Sequence, residues 1–143
     1  MQNLGPPKTF LGLNITRNAS ANTISINQTG YIYRMLKRFN MQNAVPAKTP
    51  LPHSLPLLKA TKLDRRCNQL EYTEITGSLN HLAVYSRPDI AFAVSTLSQF
   101  NSDPTTTHLQ AARHVLRYLI NTANYSISYG DSNLTIHGYA DAN

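Results

Sequence analysis

Residues 71–100, EYTEITGSLNHLAVYSRPDIAFAVSTLSQF, decide the fold. Tyr72, Ile75, Leu79 and Leu82 recur along one helical face, so a helix is expected from Glu71 until Ser86-Arg87-Pro88 interrupts it. Proline lacks an amide hydrogen and holds a φ suited to a helix's first turn. Pro88 therefore opens a second helix, with Asp89 near its positive end and Ile90, Ala93, Val94, Leu97 and Phe100 as its buried face. Asp103-Pro104 repeats that start signal. A third helix is expected to run to about Asn121, burying Leu109, Ala112, Leu116 and Leu119 while Arg113 and Arg117 turn away.

On both sides of these helices the period falls to two. Downstream, Tyr125, Ile127 and Tyr129 alternate, Gly130-Asp131-Ser132-Asn133 turns, and Leu134, Ile136, Gly138 and Ala140 alternate again. The second strand runs to Asn143 without a stop signal, so the expectation is that the chain ends inside a domain. Upstream, Phe10-Leu11-Gly12-Leu13-Asn14-Ile15 and Thr23-Ile24-Ser25-Ile26 flank a turn-forming stretch and predict a β-hairpin. Ile32, Met35, Leu36 and Phe39 then mark a helix over residues 30–41, whose other face carries Arg34, Lys37 and Arg38. Residues 43–70 hold four prolines and no period, a loop long enough to imply a role as lid or linker. The fold class is α+β: an N-terminal hairpin, a mainly helical middle and a C-terminal hairpin.

Composition narrows the function. The 143 residues suffice for one domain with its own core, and the lone Cys67 cannot form an internal disulfide, which points to a reducing, intracellular setting. No apolar run is long enough to span a membrane and no signal-peptide layout opens the chain, so neither membrane nor secretion is expected. The net charge of +6 is uneven: residues 1–70 hold ten Lys or Arg against Asp64 alone, while residues 71–143 hold three Arg against six acids. A basic half attracts polyanions through counterion release, nucleic acid first among them.

Catalytic patterns are thin. Neither a Walker-type phosphate loop nor a G-x-G-x-x-G string occurs among the six glycines. Cys67 sits beside Arg65-Arg66 without a nucleophile's flanking signature, and His108 and His114 stand six apart, whereas helical metal ligands favour three or four. Glu71 and Glu74 suit a solvated first turn. Asp141 differs, since it lies on the predicted strand with Thr135, His137 and Tyr139, where a carboxylate is unfavourable unless exposed or employed.

Several strings taken together resemble copia-type LTR retrotransposon reverse transcriptases in the part that follows the polymerase active site. They include Leu4-Gly5-Pro6, Phe10-Leu11-Gly12-Leu13-Asn14-Ile15, Lys48-Thr49-Pro50, Gly77-Ser78-Leu79, the block from Ser86 to Val94, Leu97-Ser98-Gln99-Phe100, Leu116-Arg117-Tyr118-Leu119 and Gly138-Tyr139-Ala140-Asp141, all in the family's order. The resemblance implies that Phe10, Leu11 and Gly12 are a primer grip. It implies that residues 1–42 close the palm and begin the thumb, 43–70 form a basic linker, 71–122 are thumb and connection, and 123–143 begin an RNase H domain. Asp141 matches that domain's first catalytic aspartate, a Mg²⁺ ligand in the intact domain only. The polymerase's paired aspartates have no counterpart, since no Asp-Asp pair occurs.

The expectation is therefore a fragment of a Pol polyprotein, RNA-directed DNA polymerase with RNase H, that binds no cofactor and has no activity alone. It would hold an RNA–DNA hybrid or DNA duplex without sequence preference through Lys37, Arg38, Lys62, Arg65 and Arg66, with Arg113 and Arg117 as helpers, and would partner the missing Pol segments. The alternative is a non-enzymatic basic helical module for nucleic-acid or protein interaction. Sequence-selective binding by residues 71–122 alone would distinguish it.

Overall fold

Helix α2 (Gln69–Tyr85) organises the core of the computed structural model, which describes residues 5, 7–52 and 57–130. Asn68 caps it by accepting the Glu71 amide at 3.2 Å, and Tyr72, Ile75, Thr76, Leu79 and Leu82 are buried along its inner side. Against that side pack α3 (Ala91–Ser98), preceded by a 3₁₀ turn at Pro88–Ile90, and α4 (Thr106–Thr122). Helix α1 (Thr29–Arg38) adds Ile32, Met35 and Leu36 to the same cluster. The Tyr72 hydroxyl, carried into this apolar interior, donates to the Leu97 carbonyl at 2.7 Å and so ties α2 to α3.

The strands form one antiparallel sheet in the order β1 (Thr9–Phe10), β2 (Leu13–Asn18), β3 (Thr23–Asn27), β4 (Ile127–Tyr129). The expected N-terminal hairpin is present. Ile15 opposes Ile26 and Ile26 opposes Ile127, which places their side chains on one face, while Asn14 and Asn27 bond across the other at 3.0 Å. The C-terminal strand finds its partner in β3, about a hundred residues upstream, a pairing that local alternation does not encode. Gly130 lets the chain pass the β2–β3 turn: its φ is +107°, and a Cβ there would lie 2.1 Å from the Asn22 carbonyl oxygen. The second strand expected over 134–140 lies outside the described residues, as does Asp141.

Three boundaries move for identifiable reasons. Helix α1 stops at Arg38 rather than 41 because Asn40 adopts φ +54°, and the amides of Asn40 and Met41 fold back onto the carbonyls of Lys37 and Leu36. Helix α4 is capped by Thr105, not Asp103, through a reciprocal capping box with His108. Its buried face includes His108, Ala111 and Val115 beside the expected Ala112, Leu116 and Leu119, and Leu109 is only half-buried. The long loop is strapped to the domain where it is described. Arg117 Nε donates to the Val45 carbonyl, the Ala47 amide donates to the Arg117 carbonyl at 3.2 Å, and His114 Nε2 meets the Thr49 carbonyl at 3.0 Å.

Candidate nucleic-acid interface

The β1–β2 connection has two residues, Leu11 and Gly12, with φ of +48° and +83°. Two positive φ values in a two-residue hairpin loop mark a type I′ turn, whose twist matches the flanking strands. Gly12 fits at no cost, whereas a leucine in the left-handed region is strained by about 1–2 kcal/mol. Phe10 and Leu11 are 59% and 78% exposed, so the tip presents two apolar side chains outward. Backbone strain and two exposed apolar side chains thus coincide at the tip.

The seven basic residues singled out from the charge map divide into two groups. Arg38 pairs with Glu74 at 2.8 Å, Arg113 with Glu71 at 2.6 Å, and Arg66 holds Asp103 through Nε at 2.6 Å and Nη2 at 2.9 Å. Arg117 is spent on the Val45 carbonyl. Lys37, Lys62 and Arg65 are exposed, and their side chains make no ion pair or hydrogen bond among the described residues. The sequence reading missed this division, because the acids that neutralise Arg38, Arg66 and Arg113 lie at least 36 residues away in the chain. Glu74 and Asp103 sit in the acidic half and face back onto the basic one, while Glu71 and Arg113 pair within the acidic half.

The sequence places Arg87 only at a helix junction, yet it is the largest fully buried side chain among the described residues, 1% exposed. Its Nε and Nη2 hold Asp89 at 2.9 and 2.7 Å, while Nη1 and Nη2 donate to the carbonyl and hydroxyl of Thr122 at 2.8 and 2.7 Å. The rings of Tyr118 and Tyr125 flank the guanidinium at 5.7 and 5.3 Å. Burial raises the Asp89 carboxyl, but Arg87 and the Tyr118 hydroxyl, which donates at 2.9 Å, outweigh it and hold the group below the ordinary value. The planar fork joins the α2–α3 turn to the end of α4, a structural clamp.

Among the described residues no group of three His, Cys, Asp or Glu converges on a point that could hold a metal, and none of their helices is long and apolar enough to cross a membrane. Compared with known proteins, the chain is 38% identical over 147 aligned positions to the retrovirus-related Pol polyprotein from transposon TNT 1-94 of Nicotiana tabacum, covering 99% of this chain and 11% of that protein. Its homologues are retrotransposon Pol polyproteins. The Pol polyprotein from transposon RE1 of Arabidopsis thaliana is 43% identical over 136 positions, 93% of this chain and 9% of the relative. A putative transposon Ty5-1 protein of Saccharomyces cerevisiae is 35% identical over 99% of this chain and 46% of its own length. The chain thus corresponds to about a tenth of the Pol polyproteins it matches and under half of the yeast protein. Neither a family model nor a solved structure matches it.

Proposed function

We propose that this chain is the part of a copia-type reverse transcriptase that grips template–primer duplex, and that neither active site is complete within it. The observation that carries the reading is similarity to Pol polyproteins over nearly the whole chain. The apolar-tipped β1–β2 turn, with Phe10 and Leu11 exposed, supports Phe10, Leu11 and Gly12 as a primer grip.

Lys37, Lys62 and Arg65 make the first phosphate contacts, because they have no partner among the described residues to give up. Arg38, Arg66 and Arg113 join at modest cost, their exposed pairs being worth about 0–1 kcal/mol each. The remaining Pol segments are the protein partners. Asp141 serves as a Mg²⁺ ligand only with the further carboxylates of an intact RNase H domain, because one aspartate cannot hold the ion pair that phosphoryl chemistry uses.

Binding of an RNA–DNA hybrid and of a DNA duplex to the 143-residue chain at low and physiological salt tests the proposal. Each phosphate contact steepens the log–log salt dependence by about 0.9 on B-DNA, and single alanine variants of Lys37, Lys62 and Arg65 each flatten it by about that amount. A salt-independent curve overturns the grip. Primer extension or hybrid cleavage with Mg²⁺, absent from an Asp141→Asn control in the cleavage assay, overturns the claim of incomplete sites.

A further inference from the structure

His108 connects two structures that no local rule links: the cap of α4 and the segment around Leu58. It is 1% exposed, at the third position of α4. Its Nδ1 accepts the Thr105 amide at 3.0 Å, and its Nε2 lies 3.0 Å from the Leu58 carbonyl, which can only accept. Nε2 must therefore carry the proton and Nδ1 must be bare. Phe100 stacks on the ring at 4.0 Å with 15° between planes, and Tyr72 flanks it at 6.5 Å, so the imidazole cannot swing over to exchange its nitrogens. Both bonds exist together in the neutral Nε2–H form alone. A proton on Nδ1 would set N–H against the Thr105 N–H.

We propose that His108 is a proton-operated latch on the start of α4: uptake of one proton from solvent at Nδ1 expels the Thr105 amide and opens the cap, while the Nε2–H bond to the Leu58 carbonyl persists. Burial already holds this imidazole below its ordinary value, and the Leu58 carbonyl and the charges of Asp64 and Asp103 only partly offset it. The charged groups on the packed elements are Lys59 and Asp64 on the attached segment, Arg66 with its guanidinium on Asp103, and Asp103 itself. From α2 comes Tyr72, whose hydroxyl is committed to Leu97. The sign follows from linkage. Unfolded chain binds the proton more readily than folded chain, so the latch contributes fully above the unfolded value near 6.5 and weakens as pH falls toward the lower folded value.

His114 is a different case. Its Nε2 meets the Thr49 carbonyl and, among the described residues, nothing donates to its Nδ1, so protonation leaves its contact in place. This inference stands on the hydrogen bonds of His108 and is independent of the duplex reading.

Amide-exchange protection at Thr105, Thr106 and Leu109 in the 143-residue chain, from about pH 7.5 to about pH 5, tests the latch. The expected result is a fall approaching tenfold per pH unit as pH drops from the unfolded value near 6.5 toward the lower folded value, and a plateau below it. His108→Gln keeps both roles, amide oxygen for Thr105 and NH₂ for Leu58, and cannot titrate, so its protection should stay flat. His114→Gln should behave as the parent. Constant protection in the parent, or an equal loss in His108→Gln, overturns the latch. Should His108→Gln not fold, ¹⁵N shifts of the parent's rings decide: a bare Nδ1 at neutral pH supports the latch, and a protonated one overturns it.

Discussion

Arg87 and Thr122 stand 35 residues apart in the chain and share two hydrogen bonds, one to the carbonyl and one to the hydroxyl. The arginine thereby fills an acceptor that the last turn of α4 would otherwise leave open. Arg87→Leu strands Asp89 and the Thr122 carbonyl together and should cost about 3 kcal/mol, read as a lowered urea midpoint. Arg87→Lys should recover little, because an ammonium cannot serve two acceptors with a planar fork.

The carboxylate opposite Arg87 predicts an acid limb. Asp89 is held below its ordinary value, so its contribution is complete above the unfolded carboxylate value of 3.8 and disappears as pH falls through the lower folded one. Asp89→Asn should be less stable than the parent near neutrality and should converge with it as pH falls below 3.8 through the lower folded value. Urea midpoints measured across that range check the convergence; parallel curves at all pH values would remove Asp89 from the account.

Two glycines give opposite outcomes. Gly130→Ala places a methyl 2.1 Å from the Asn22 carbonyl oxygen at a left-handed φ, so it should cost about 1–3 kcal/mol and weaken the β3–β4 ladder. Gly77, inside α2, has nothing within 4 Å of a built Cβ. Gly77→Ala should therefore stabilise by about 0.5–1 kcal/mol through helix propensity. Thermal unfolding of both variants checks the difference in sign.

Internal neutralisation predicts a gain by removing acids. Glu71→Gln with Glu74→Gln frees Arg113 and Arg38 from their pairs. Under the proposed grip, duplex affinity should rise and the salt slope should steepen by up to about two units. Titration of one labelled duplex at several salt concentrations measures both; an unchanged slope would place the duplex elsewhere.

The helical part of the fold was legible because periodicity is local. Tyr72, Ile75, Leu79 and Leu82 are buried as the spacing required, and so are Ile90, Ala93, Val94 and Leu97. What escaped depends on distant partners. A charged residue between two helices suggests solvent, and only the proximity of Tyr118, Thr122 and Tyr125 makes Arg87 an interior group. The same holds for Gln28, buried where its oxygen accepts from Ser86 at 2.7 Å and its amide meets His81 at 3.1 Å. At the candidate site, the alternation from Phe10 to Ile15 reads as one strand, so the β1–β2 turn at Leu11-Gly12 that splits it was not legible, and which bases are free to meet a phosphate does not follow from counting them.

The ladder between β3 and β4 also governs the order in which the molecule can be built. Ile24 pairs with Tyr129, so one edge of β3 waits, during synthesis, for most of the chain to leave the ribosome. Joining ends that far apart carries a loop-closure cost that helices formed from near neighbours do not, so α2, α3 and α4 assemble first and the sheet closes last. Until then the nascent β3 shows its unpaired edge to any other strand. Closure of the fourth strand is thus the step most open to competition from neighbouring chains.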